Sequence, residues 1–266
     1  MFNHRMTRIA LLAGLTAASL ATAGKASAAG FFDDLEGSAP VGFTRTSGVT
    51  GTGSSRFTNA GEPTLGNRGY RFQLEDVDTG YARISYTATA ANGPIGRLRD
   101  VTASFDTYID STSFNLTPYI LLGVDSNQNG VYDSATDALV IQFTSKISGA
   151  PATNTWLSEG LDAANGVHVQ VDRGMLPGTG AGNYQPDETP DLLGNLYDIN
   201  YNSTTKWGDL NVLFARVAAG NFAGGDGNQP YLGYVDNIKV QAVPEPATMA
   251  ILGLGAAALL RRRRAR

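Results

Sequence analysis

The chain has 266 residues, with 20 Lys and Arg against 24 Asp and Glu, two His and no cysteine. Three of the basic residues lie in 1–28 and five in 261–266, while every acid lies between, so residues 29–260 carry 12 basic and 24 acidic side chains. A net charge near −12 over that stretch argues against a nucleic-acid partner, which demands a basic footprint, and favours solubility and divalent cations. The lack of cysteine excludes disulfides and thiolate metal sites, leaving stability to an apolar core or to hard-cation sites.

Residues 1–28 open with Arg5 and Arg8, continue through an apolar stretch over 9–23, and close on Ala26-Ser27-Ala28. That order predicts a secretory signal peptide with Ala29 as the mature N-terminus. An amphipathic helix would need polar residues along one face of 9–23, and only small Thr and Ser interrupt it. The expected organisation is a signal peptide (1–28), a body (29–242) and a C-terminal segment (243–266). The body is long enough for one core, and all-β domains of this length commonly form a single unit.

Along the body, apolar and polar residues alternate between breaks of Gly, Asn, Asp and Pro. The stretches YRFQLE (70–75), YARISYTATA (81–90), DVTASFDTYI (100–109), PYILLGVD (118–125), ALVIQFTS (138–145), GVHVQVD (166–172) and YLGYVDNIKV (231–240) read as strands, several with period two. One short helix is predicted, in TTKWGDLNVLF from Thr204, with Thr204 or Thr205 as its cap. Many strands with turn chemistry between them predict an all-β fold, a jelly-roll β-sandwich.

Between two of these strands lies DSNQNGVYDSATD, residues 125–137. Asp125, Asn127 and Asn129 alternate as oxygen donors, Gly130 permits a sharp turn, Val131 offers a backbone carbonyl, and Asp133 takes the ninth place of an EF-hand-like loop. Calcium takes six to eight hard oxygens, which this density of donors suits. The twelfth place holds Thr136, with Asp137 one residue later, so the bidentate Glu is missing and the flanks are strands rather than helices. The expectation is a structural Ca2+ held by Asp125, Asn127, Asn129, Val131, Asp133 and Asp137; the alternative is an Asx-rich hairpin turn that needs no metal.

Two other places qualify as ligand contacts. Trp156, in TNTWLSEG, is an exposed candidate platform for a sugar face, whereas Trp207 reads as core. Tyr184, Tyr197 and Tyr201 cluster in a polar region. Asp226 and Asn228, in AGGDGNQPY, sit in a Gly-rich loop able to line a ligand site or merely to lead into the last strand.

Catalysis finds little support. Past residue 28 the only histidine is His168, there is no G-x-S-x-G elbow, and a Ser-His-Asp triad would have to use His168. A glycosidase needs only two carboxylates, but five Glu occur in 29–242 and LEDVD has the wrong spacing for the paired-Glu strand of sandwich glycosidases.

The chain ends VPEPATMAILGLGAAALLRRRRAR. Ala247 to Leu260 are apolar or small, and the four arginines from Arg261 keep that end cytoplasmic, which puts the body outside. Pro244 and Pro246 hold Val243-Pro244-Glu245-Pro246 extended. These three parts in order resemble the PEP-CTERM sorting signal of exported proteins of Gram-negative bacteria. The resemblance implies an exosortase as processing partner, transient anchoring in the inner membrane, and release to the cell surface or extracellular matrix. The edges of the body, FFDDLEG and GYVDNIKV, resemble the first and last strands of carbohydrate-binding and concanavalin-like jelly rolls, which implies lectin-like sugar binding. The expectation is a non-enzymatic exported protein that associates with extracellular polysaccharide. Two alternatives stay open: a carbohydrate-active hydrolase or lyase on the same fold, and a purely structural biofilm or surface protein.

Overall fold

Over Val101–Ile109 the residues Val101, Ala103, Phe105, Thr107 and Ile109 are buried, while Thr102 is exposed and Ser104, Asp106 and Tyr108 are half-buried. That is the period of two expected of a strand with one face on a core. The computed structural model describes residues 30–77, 80–90, 92–114, 117–133, 136–143, 152–161, 168–171, 193–220 and 229–243. The expected signal peptide and the apolar tail lie outside them.

The described strands are β1 (Phe31–Asp33), β2 (Phe43–Thr50), β3 (Gly53–Phe57), β4 (Tyr70–Leu74), β5 (Tyr81–Ala88), β6 (Gly96–Arg97), β7 (Val101–Ile109), β8 (Tyr119–Val124), β9 (Ala138–Phe143), β10 (Trp156–Gly160), β11 (His168–Val171), β12 (Asn211–Gly220) and β13 (Tyr231–Ala242). They form two antiparallel sheets. The first runs β10-β7-β13-β4-β3, with β1 also on β13; the second runs β11-β9-β8-β12-β5-β2, with β6 on β12. Successive strands cross between the layers, from β2 to β3, β4 to β5, β7 to β8 and β12 to β13, which is the jelly-roll wrapping that the turn-rich sequence predicts. The core between the sheets holds Tyr70, Phe72, Tyr86, Phe105, Tyr231 and Trp207, all almost fully buried. Phe31 of β1 closes one edge, stacking on Tyr86 at 4.4 Å and tilting against Phe43 at 4.6 Å.

One expected element differs. The stretch from Thr204 is not an α-helix: it holds a single 3-10 turn, Trp207–Asp209, before β12 begins at Asn211. The Asn202 side chain, not a threonine cap, organises the approach, accepting from the amides of Thr204 and Thr205 at 2.9 and 2.8 Å. The segment looks helical because β12 is apolar on both faces, and strand periodicity vanishes when both faces are covered. Phe214 and Ala218, on the face of β12 away from the core, are 4% and 0% exposed. Among the described residues the α-helix is α1 (Leu193–Asp198), whose Leu196 is buried.

Candidate functional site

Because sheet neighbours pair in register, residues from separate strands line up across the outer face of the first sheet. Trp156 pairs with Tyr108, Tyr108 with Tyr234, Tyr234 with Arg71, and Arg71 with Arg56. One rung therefore carries Trp, Tyr, Tyr, Arg and Arg across β10, β7, β13, β4 and β3. At about 4.8 Å per strand step, Trp156 to Arg71 spans about 14 Å. The rings are in contact: Trp156 and Tyr108 lie 5.8 Å apart at 55°, and Tyr108 and Tyr234 lie 5.9 Å apart at 75°, within the range of favourable aromatic pairs. Tyr234, mid-row, is 5% exposed, whereas Trp156, Tyr108, Arg71 and Arg56 are half-buried. Burial pushes the Tyr234 phenol up, the Glu62 charge adds to this and the Arg71 guanidinium opposes it.

Polar groups border the row. Asn154, whose backbone is left-handed at φ 56, accepts from the Tyr108 hydroxyl at 3.3 Å and from the Ser111 amide at 3.1 Å. On the other side, Asp106 pairs across the strands with exposed Ser158 and with Asp236. Asp236 is 1% exposed. Its oxygens accept from the amides of Leu65 at 3.0 Å and Asn237 at 2.8 Å. Burial raises its pKa against the pull of those amides. Here β13 bulges at Asn237, φ 48, and the Asn237 side-chain amide donates to Asp106 at 2.8 Å. Asp236 thus fastens the 65–69 loop to the sheet rather than presenting a free carboxylate.

The 125–137 loop joins β8 to β9. Asp125 and Asp137 are 1% and 3% exposed, and Val131 is 67% exposed. Asn127, Asn129 and Asp133 are exposed as well. Asp125 accepts from the amides of Asn129 at 3.0 Å and Gly130 at 2.9 Å; Asp137 accepts from those of Ser126 at 2.8 Å, Asn127 at 3.3 Å and Asp133 at 2.8 Å. Asn127 and Asn129 each close a turn on the amide two residues on. The loop brings Asp125 and Asp137 inward together and satisfies them with its own backbone. Among the described residues no group of three His, Cys, Asp or Glu is placed to hold a metal ion. Asp125 Oδ1 and Oδ2 and Asp137 Oδ2 each accept one amide and keep a second lone pair for a hard cation, whereas Asp137 Oδ1 accepts two amides.

Of the other sequence candidates, Trp156 sits at the end of the aromatic row, and Trp207 is fully buried in the core. Tyr201 packs edge-on against Trp207 at 5.2 Å, and Tyr197 packs on the same core. Asp226, Asn228, Tyr184 and Pro244, Glu245 and Pro246 lie outside the described residues. His168 belongs to β11, opposite Phe143. Val243, first of the sorting motif, donates its amide to Asp100 at 2.8 Å directly after β13. Sequence reasoning missed Tyr108, Tyr234, Arg71 and Arg56, each of which is an ordinary outward strand position. The signal lies in register, since DVTASFDTYI, YLGYVDNIKV and YRFQLE each place one aromatic or basic residue on the same rung.

Several solved structures resemble the fold at low identity. A family 11 carbohydrate-binding module from Clostridium thermocellum, in complex with a β-1,3-1,4-mixed-linked tetrasaccharide, is 16% identical over 82% of this chain and 99% of that one, with a TM-score of 0.41. The CBM22-1 xylan-binding domain from Paenibacillus barcinonensis is 12% identical over 82% and 98%, with a TM-score of 0.35. No curated protein is similar to the chain. Residues 242–264 match the PEP-CTERM protein-sorting motif, which implies an exported protein held in the membrane by its C-terminal segment before processing.

Proposed function

We propose that the sandwich is a non-catalytic polysaccharide-binding domain of a protein processed by an exosortase, and that its binding surface is the outer face of the first sheet. One observation carries this reading: Trp156, Tyr108 and Tyr234 form a continuous row across three strands, ending in Arg71 and edged by Asp106, Ser158 and Asn154. A sugar ring offers an apolar face and a rim of hydroxyls, and a row of rings bordered by hydrogen-bonding groups suits both. A linear polymer lying along the rung meets several rings in succession, so weak contacts add. The hydrolase alternative would draw on Asp106 and Asp236, but the oxygens of Asp236 are engaged by backbone amides under a loop.

For the 125–137 loop the same reading includes a structural Ca2+ at Asp125, Asn127, Asn129, Val131, Asp133 and Asp137, binding weakly for want of a bidentate Glu. The test is affinity electrophoresis of the full-length chain in mild detergent, through gels containing the producer's own extracellular polysaccharide, with calcium and with chelator. Retardation that Trp156→Ala abolishes supports the row; migration unaltered by polymer overturns sugar binding and leaves a structural matrix protein. Loop calcium predicts that added Ca2+ raises the Tm of wild type but not of Asp125→Asn. An equal rise in both would remove calcium from this loop.

A further inference from the structure

The row does not end in aromatic rings. Past Tyr234 the same rung continues into Arg71 and Arg56, and these two arginines are in different states. Arg56 is fully committed: Nη1 donates to the Phe57 carbonyl at 2.9 Å and to Glu62 Oε2 at 2.8 Å, and Nη2 donates to Glu62 Oε1 at 2.7 Å. Glu62, so paired, is held below the usual carboxylate range chiefly by Arg56. Arg71 gets only the leftover of that carboxylate. Its Nε lies 3.6 Å from Glu62 Oε1, is buried, and has no hydrogen-bond partner. The single negative charge of Glu62 is thus shared between two guanidiniums, tightly with Arg56 and loosely with Arg71, which leaves one net positive charge at this end of the row beside Tyr234. Two of the twelve basic residues in 29–260 thus stand side by side at the β3–β4 end of the row, with one carboxylate between them, on a domain that is acidic overall.

We propose that the polymer bound along this row is anionic, a uronate-bearing polysaccharide whose carboxylate docks on Arg71 while neighbouring sugar rings lie over Tyr108 and Trp156, with buried Tyr234 as the floor between them. This rests on the polymer-binding reading above and adds the ligand's charge and orientation. A planar guanidinium matches a carboxylate in two parallel hydrogen bonds, and the same group on a half-buried floor loses less to solvent than an exposed lysine would. The overall acidity of the domain repels a polyanion at long range, but at physiological salt that field is screened beyond about 8 Å, whereas the Arg71 contact is direct.

The test is affinity electrophoresis of the full-length chain in mild detergent against polygalacturonate, alginate and hyaluronate, each beside its carboxyl-reduced counterpart. Wild type, Arg71→Gln, Arg71→Lys and Trp156→Ala are compared. The terminal arginines are common to all four, so differences between variants read the row alone. The expected result is that Arg71→Gln weakens binding to at least one acidic polymer by roughly tenfold to hundredfold and leaves its reduced counterpart unchanged, with Arg71→Lys intermediate. Trp156→Ala should weaken both forms. If Trp156→Ala weakens binding and both Arg71 variants match wild type on every acidic polymer, the anionic assignment is overturned while polymer binding stands. If Trp156→Ala changes nothing on any polymer, both fall.

Discussion

The two tryptophans separate binding from folding. Trp156 is half-buried on the outer row and touches Tyr108, whereas Trp207 is 0% exposed in the core. Replacing Trp156 with Ala removes one aromatic contact, a loss of about 1 kcal/mol, which lowers the Tm of a domain this size by roughly 2–4 °C. If Trp156 is an anchor for the polymer, the same change removes about 2 kcal/mol of binding, near a thirtyfold rise in Kd. Trp207→Ala does the reverse. It opens a core cavity costing about 3–5 kcal/mol, a Tm drop of roughly 6–20 °C, while at low temperature the surviving folded fraction binds with wild-type affinity. Differential scanning calorimetry and affinity electrophoresis on the same samples give both axes. Wild-type retardation of Trp156→Ala, or a Tm loss for it as large as that of Trp207→Ala, would refute the assignment of these two side chains.

Other expectations follow from contacts away from the row. Asp33 is 3% exposed and accepts from Arg45 Nη1 at 3.0 and 2.7 Å and from the Leu35 amide at 2.9 Å, so Asp33→Ala leaves a largely buried cation unpaired and should cost about 3–5 kcal/mol, read as a lower midpoint in urea unfolding. A Cβ on Gly123 would land on the Phe214 ring, so Gly123→Ala should cost about 1–3 kcal/mol through overpacking; an unchanged melt would mean that the outer face of β12 is loosely covered. Glu62 has a depressed folded pKa set first by its hydrogen bond from Arg56. Its contribution is therefore complete above the unfolded carboxylate value and lost as pH falls through the folded one. In a Tm–pH profile from pH 6 to 3, Glu62→Gln should start lower and fall less steeply than wild type. Asp236 has the opposite sign: burial raises its folded pKa, so its stability contribution grows as pH falls, and Asp236→Asn should steepen the acid limb.

The strands that sequence made legible are those with one wet face or a strong apolar run. β4, β5, β7, β8, β9 and β11 fall inside stretches that read as strands, and β13 runs two residues beyond its stretch, to Ala242. β2, FTRTSGVT, and β3, GSSRF, did not stand out, because few of their residues are apolar and their burial comes from partners β5 and β4. β10 is legible only through Trp156, since WLSEG gains its register from β7. The site was half-legible for the same reason. Composition singles out Trp156 as a rare residue, but the row exists only once β10, β7, β13 and β4 are aligned, and pairings between residues 48, 126 and 163 apart in sequence leave no local trace. The 125–137 loop is the converse case: its Asx spacing is local, so the turns could be read directly, while the inward placing of Asp137 beside Asp125 depends on the β8–β9 pairing.

The position of the row along β13 bears on how an anchored molecule would present it. β13 is bonded on one edge to β7 and on the other to β4 and then β1, so Phe31 faces Val240. The expected mature N-terminus and the start of the sorting motif at Val243 therefore emerge at the same end of the sandwich. Tyr234 lies eight residues before Ala242 on that strand, about 25 Å along it. Because the row runs across the strands, a polymer on it would lie crosswise to β13 and away from the end of that strand where the motif starts. Removing residues from the end of β13 would strip pairing from both β7 and β1, which places the earliest tolerable cut after Ala242, where the motif begins.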